Sequence, residues 1–427
     1  MNTTAVRLYG KNDLRLETFP LPPIRENEIL ARVISDSICM SSYKAAKQGA
    51  SHKRVPDNVS ENPVIIGHEF CGELLAVGEK WRGQYTPGSR FVIQPALNYK
   101  GSLDAPGYSY AYIGGDATYV VIPNEVMEMH CLLPFTGDAL FKGALPEPCS
   151  CVVGAFNASN HTQRGTYIHN MGVRGGGNMA ILAGAGPMGL AAIDYAVHGP
   201  RRPRLLVVTD INAARLARAA AIHSPEEAAA CGVELRYENT WNIDSVDLLR
   251  RIAPEGFDDV FILAPNSSLV EAADRILAQD GCLNFFAGPT DERFSAQFNF
   301  FNVHYAGTHV VGTSGGNADD MRQALEYISA GTLNPAALVT HIGGLDCVVE
   351  TTKRLPQIPG GKKLIYTGIS MPLTAIADFE KLGKRDPLFA KLHKVCEANN
   401  GLWCAEAERV LLAQAAPICA PEKGEGT

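Results

Sequence analysis

No apolar run in the chain reaches the ~18 residues that a membrane-spanning helix needs, and its eleven cysteines contain no CxxC pair. The first absence argues against a membrane-spanning helical protein, and the second leaves a four-cysteine zinc knuckle without support. Positive charge is also short: 38 Lys and Arg stand against 45 Asp and Glu, a formal net charge of -7. A chain of that sign has no general attraction for nucleic acid or for an anionic membrane surface. The N-terminal stretch Met1–Arg7 begins a strand-like pattern rather than a signal peptide, so the expected location is cytoplasmic and the scattered cysteines are expected to be reduced thiols.

What remains is an ordinary soluble composition, 46% hydrophobic and 19% charged over 427 residues. At ~150 residues per domain this length predicts two or three domains. From Ala5 to about Glu125 short β-type runs, such as 28–34, 72–78 and 118–123, alternate with turn residues and predict a barrel-like or sandwich domain. After Pro146-Glu147-Pro148 the pattern changes. Apolar runs at 179–183, 205–208, 259–263, 281–286 and 309–312 alternate with Ala-rich helical stretches at 189–197 and 213–221, which predicts a parallel sheet with helices on its faces. A further helix is expected at 318–330, and helical signals recur in the tail at 375–382 and 405–415. The polar end Glu422–Thr427 is expected to lack order.

Two motifs carry chemistry. Gly184-Ala185-Gly186-Pro187-Met188-Gly189 puts a G-x-G-x-x-G fingerprint directly after an apolar strand and before an Ala-rich helix. Its glycines let a backbone approach a pyrophosphate at a helix N-terminus. Asp210, about twenty residues on, closes the next strand, where a carboxylate accepts from ribose hydroxyls and favours NAD. Arg215 and Arg218 follow on a helix within reach of a 2′-phosphate, so NADP stays open.

The second motif is Gly67-His68-Glu69. Adjacent residues share one ion only where the backbone turns, and Gly67 permits the turn. A Cys39 thiolate upstream and Glu147, set between two prolines, add ligand types that suit catalytic zinc. Each residue taken singly also reads as a buried cysteine or a surface charge.

The order Cys39-x-Ser41, Gly67-His68-Glu69, Glu147-Pro148 and Gly184-x-Gly186-x-x-Gly189 with Asp210 resembles the zinc-dependent medium-chain dehydrogenase/reductase superfamily over about residues 5 to 370. The stretches 303–317 and 355–364, with the long tail, are most similar to its L-sorbose 1-phosphate reductase branch. The resemblance implies an α/β fold: a GroES-like catalytic domain at 1–157 and 313–370, a Rossmann doubly wound domain at 158–312, and a helical extension at 371–427. It implies one catalytic zinc on Cys39, His68 and Glu147, with Glu69 a fourth or exchanging ligand, NAD(P)H as cofactor, and Ser41 as the hydroxyl that takes the alcohol proton.

Lys44 stands where some relatives keep a relay histidine, which leaves the outer proton acceptor open, and Ser42 replaces a common aspartate. The lobe at Gln94 to Gly115 has no cysteines, so no structural zinc is expected. A homo-oligomer, a dimer or tetramer paired along the edge at His309 to Gly312, is implied as well. The expected reaction interconverts a ketose phosphate and a polyol phosphate, L-sorbose 1-phosphate to D-glucitol 6-phosphate in type. Unphosphorylated polyols or secondary alcohols are the alternative substrates, and a non-catalytic nucleotide-binding regulator is the alternative of another class. If a phosphate is bound, Lys44, Lys47, His52, Lys53 and Arg54 are its nearest cationic source, although a solvated loop has the same composition.

Overall fold

A computed structural model describes residues 1–163 and 165–419; the expectation for Glu422–Thr427 lies outside the described residues. The chain divides into two compact units, Met1–Glu147 with the described part of Val339–Thr427, and Pro148–Leu338.

In the first unit the strand Ile29–Ile38 is the centre of the larger sheet. It pairs antiparallel with Phe70–Val77, Tyr119–Ile122 and Lys362–Tyr366. From there the sheet runs outward to Arg90–Ile93 and Leu132–Pro134 on one side and to Val339–Gly344 and Thr374–Ala375 on the other. A smaller sheet of Asp13–Pro20, Asn2–Gly10 and Val64–Ile65 completes the β-rich body.

Ile29, Ala31 and Val33 are buried, as the alternation of a half-buried strand requires. The last third of the same strand breaks the pattern, because Ser35, Asp36 and Ser37 are buried polar residues. Buried polar side chains need partners, and two of these point at functional elements. The Ser35 hydroxyl donates to Leu140 O at 2.8 Å, and the Ser37 hydroxyl donates to the Glu69 carboxylate.

The second unit holds a six-stranded parallel sheet in the order Glu234–Asn239, Leu205–Asp210, Asn178–Leu182, Phe257–Ile262, Leu277–Phe285 and His309–Val311. Chain order reverses across Asn178–Leu182, which makes a doubly wound sheet with its switch point beside that strand. All five of its residues are buried, as a central parallel strand demands. The predicted fold class is therefore what forms. The edge strand Glu234–Asn239 was not expected, and its charged alternation explains why: only Leu235 in it is buried.

The extension is helical, with helices Phe379–Gly383, Pro387–Glu397 and Ala405–Gln414. It builds its own core in the first unit, where Phe379, Leu392, Trp403, Ala407 and Leu411 are fully buried.

Candidate active site

Strand Ile29–Ile38 ends one residue before Cys39, which takes the N-cap position of helix Met40–Gln48 with extended backbone angles. That change of direction sets Cys39, Ser41 and Ser42 on the first turn. Across from it, Gly67 adopts φ +89°, and a Cβ there would meet the Asp116 backbone nitrogen at 2.6 Å. No other residue satisfies both conditions without strain. The turn brings the side chains of neighbours His68 and Glu69 to the same place, with His68 Nε2 4.0 Å from Glu69 Oε1.

The ligand atoms of Cys39, His68 and Glu69 lie within 4.8 Å of one another, the one such group of three among the described residues. Cys39 Sγ is 3.0 Å from Ser41 Oγ, which is 3.4 Å from His68 Nε2. Tyr108 OH approaches the same nitrogen at 3.2 Å. The other ring nitrogen, Nδ1, is 3.3 Å from the Ser42 hydroxyl. In the tautomer where Nδ1–H donates to Ser42, Nε2 presents its lone pair to the cluster. The serine in place of the usual aspartate thus still orients the ring.

The electrostatics are set by burial. Burial pushes the His68 imidazole down, with the nearby Glu147 and Glu69 charges opposing. Burial pushes the Cys39 thiol up, and the Lys362 ammonium pulls it back. Glu147, in the first turn of helix Pro146–Ala158, is pushed up to about 7 by burial and then by Glu69. Lys362 was not foreseen. Its buried ammonium contacts both Glu69 oxygens at 2.5 and 2.6 Å. Burial alone would lower its pKa, but Cys39 and Glu69 outweigh that and raise it. Cys39, His68 and Glu69 are gathered as the donor types that zinc takes, and Glu147 lies outside that group of three but near enough to act on the His68 charge.

Lys44 is half-buried on the same helix, close enough to add to the positive field at His52. Tyr108 was also missed; its only sequence signal was membership of the Tyr- and Gly-rich lobe.

In the second unit the glycine turn follows strand Asn178–Leu182. Gly186 is the N-cap of helix Pro187–His198, Pro187 occupies the first helical turn, and nothing lies within 4 Å of a Cβ built on Gly186. At Gly189 a Cβ would fall 1.8 Å from Gly184 O, so that glycine is needed for strand and helix to pack. Met188 continues the same turn and packs on the core. The Asp210 carboxylate accepts from Ala185 N–H at 3.3 Å and Asn212 N–H at 2.9 Å, tying the strand end to the turn. Arg215 is exposed on the first turn of helix Ala213–Ile222. Arg218 donates to Ala337 O at 2.9 Å and is thereby engaged.

Residues 25–131 match the model of the alcohol dehydrogenase GroES-like domain. The chain is 53% identical to L-sorbose 1-phosphate reductase from Klebsiella pneumoniae over 416 residues, covering 97% of this chain and 98% of that one. It is 48% identical to mannitol-1-phosphate 5-dehydrogenase from Aliivibrio fischeri over 412 residues, covering 96% and 97%. The crystal structure of 2R,3R-butanediol dehydrogenase from Bacillus subtilis superposes with a TM-score of 0.68 at 20% identity, over 86% of this chain and 99% of that one, a likeness of fold. The cysteine, histidine and carboxylate cluster, the glycine turn and the similarity to these two relatives over nearly the whole length agree: the chain belongs to the zinc-dependent medium-chain dehydrogenase/reductase superfamily, among the alcohol and polyol oxidoreductases.

Proposed function

We propose that the protein interconverts a ketose phosphate and a polyol phosphate with NAD(P)H, in the manner of L-sorbose 1-phosphate to D-glucitol 6-phosphate, at one zinc ion held by Cys39, His68 and Glu147. The observation that carries the reading is the convergence of Cys39 Sγ, His68 Nε2 and Ser41 Oγ at one point. A soft thiolate, a nitrogen with its lone pair directed inward and carboxylates are the donor set that suits catalytic zinc. Lys362 and Ser37 already hold Glu69, which favours Glu147 as the resting carboxylate and Glu69 as the exchanging one. Zinc at this position would polarise the substrate oxygen, and a nicotinamide cofactor would exchange hydride with the adjacent carbon.

The chain's own residues supply the rest. Ser41 Oγ passes the alcohol proton outward during oxidation and returns it during reduction. Ser42 keeps the His68 ring in one orientation, and Lys362 holds the Glu69 carboxylate in place beside the site. Gly184, Gly186, Pro187, Met188 and Gly189 form the cradle for the cofactor pyrophosphate, with Asp210 at the ribose and Arg215 available to a 2′-phosphate. The names of the two relatives support a phosphorylated polyol.

Oxidation of NADH and of NADPH over a panel of ketoses and ketose phosphates tests the reading. We expect L-sorbose 1-phosphate or another ketose phosphate to be reduced far faster than the free sugars. Equal rates with and without phosphate would instead make it a plain polyol dehydrogenase.

A further inference from the structure

The segment after helix Met40–Gln48 folds Arg54 and His52 back against Tyr108, with Lys53 exposed between them. Arg54 is part-buried, and its guanidinium lies 5.6 Å above the ring of Tyr108. Tyr108 in turn sits 4.8 Å, ring to ring, from His68. The guanidinium is therefore no farther from the His68 ring than those two distances laid end to end. Among the described residues it makes no ion pair and no hydrogen bond, and Lys53 beside it makes no ion pair either. A cation held in place by a tyrosine face, yet without a carboxylate, still has all its N–H donors to offer.

Its position is fixed by the backbone. Ser109 Oγ donates to Arg54 O at 2.7 Å and accepts from Ala105 N at 2.9 Å, which pins the loop to the lobe that carries Tyr108. His52 stacks on Tyr108 at 5.7 Å with the planes 7° apart. Arg54 N–H donates to His52 Nδ1 at 3.3 Å, which assigns the remaining proton of the neutral ring to Nε2 and makes that nitrogen a donor. His52 is pushed down to about 4, first by burial and then by Arg54, Lys53, Lys44 and His68. The charged groups that act on it are thus all cations or potential cations. Lys47 faces elsewhere: its ammonium donates to Tyr43 OH at 3.2 Å.

We propose that Arg54, Lys53 and the Nε2–H of His52, within the field of Lys44, form the subsite for the phosphate monoester of the substrate. The inference rests on the sugar-phosphate reading above and assigns it a location. A planar fork beside a point charge and a neutral donor matches a phosphate dianion, which offers several acceptor oxygens at once. The same chemistry would accept a cofactor phosphate, so the test separates the two.

With zinc-loaded protein, kcat/KM is measured for L-sorbose 1-phosphate and for L-sorbose in wild type, Arg54→Ala, Arg54→Lys and Lys47→Ala. Inorganic phosphate binding to the same four proteins is measured by calorimetry. Losing a charge-assisted contact is expected to lower the ratio of the two kcat/KM values about 10- to 100-fold in Arg54→Ala and to weaken phosphate binding in parallel. Arg54→Lys should recover part of both, and Lys47→Ala should leave both within about twofold of wild type. An unchanged ratio in Arg54→Ala, an equal loss in Lys47→Ala, or a rise confined to the KM of NADPH would each overturn the subsite. A wild type that reduces no ketose phosphate would remove the functional reading instead, and phosphate binding lost in Arg54→Ala would still uphold an anion site.

Discussion

Lys362 holds its ammonium inside the first unit against both oxygens of Glu69, and Ser37 completes the carboxylate's partners. A buried pair of this kind gains little over an apolar pair, but removing one member leaves the other charge uncompensated, at a cost of about 3–5 kcal/mol. Lys362→Met is therefore expected to destabilise zinc-free protein by that amount in urea unfolding. A change of less than about 1 kcal/mol would mean that Glu69 is relieved by some other route.

The residue scale also marks the reach of the sequence. The meeting of His68 and Glu69 was legible because the motif sets them side by side in the chain; Cys39 was singled out by its thiolate type, and Glu147, expected beside them, is not in the group of three that converges. Lys362 was not, since it meets Glu69 from 293 positions away and a lysine in a Gly-Lys-Lys run has the look of a surface charge. Tyr108 escaped for a similar reason, because its contact with His68 spans 40 positions.

At the scale of elements, the C-terminal extension is joined to the site's scaffold. Glu408, on helix Ala405–Gln414, accepts from the backbone N–H groups of Leu140 and Phe141 at 2.7 Å each, and from the Tyr366 hydroxyl at 2.7 Å. Trp403 Nε1 donates to the same tyrosine oxygen at 2.9 Å. The capped turn, Leu140–Gly143, leads directly into Pro146-Glu147-Pro148. Burial pushes Glu408 up, and these three hydrogen bonds oppose it.

Glu408→Ala strands two buried N–H groups and a hydroxyl, each worth about 1–3 kcal/mol when left unsatisfied. A lowered thermal midpoint together with a lower bound-zinc content is expected, with partial recovery in Glu408→Gln. An unchanged midpoint would detach the extension from the turn. The strand, glycine turn and helix of the second unit could be read from periodicity and Gly placement, whereas the partner of the tail could not. Its helices announce an apolar face without saying which turn they cover.

For the molecule as a whole, a half-buried ionic network in the second unit shapes stability against pH. His161 Nε2 meets Asp259 at 3.2 Å and its Nδ1 meets Asp280 O at 2.9 Å, while His309 and Arg174 engage the Asp280 carboxylate at 2.8 and 2.6 Å. Burial alone would lower His161, but its bond to Asp259 prevails and raises it. A raised histidine stabilises fully below about 6.5 and loses that contribution as pH rises through its folded value. Asp280 is lowered by His309 and Thr162 against the opposing effect of burial. Its contribution is present above about 3.9 and is lost as pH falls through its folded value. The network thus stabilises most between those limits. His161→Gln should lose less thermal midpoint than wild type between pH 6.5 and 8.5, and parallel curves would exclude the assignment.

The claim on which the function turns is that Cys39 and His68 hold the zinc at which the substrate reacts. Its most direct measurement is zinc titration into chelator-stripped protein, followed jointly by bound metal and by NADH or NADPH oxidation with L-sorbose 1-phosphate. One zinc per chain is expected, with activity restored in proportion, and neither binding at that stoichiometry nor turnover in Cys39→Ala or His68→Ala. Full turnover in stripped protein, or in either variant, would contradict it.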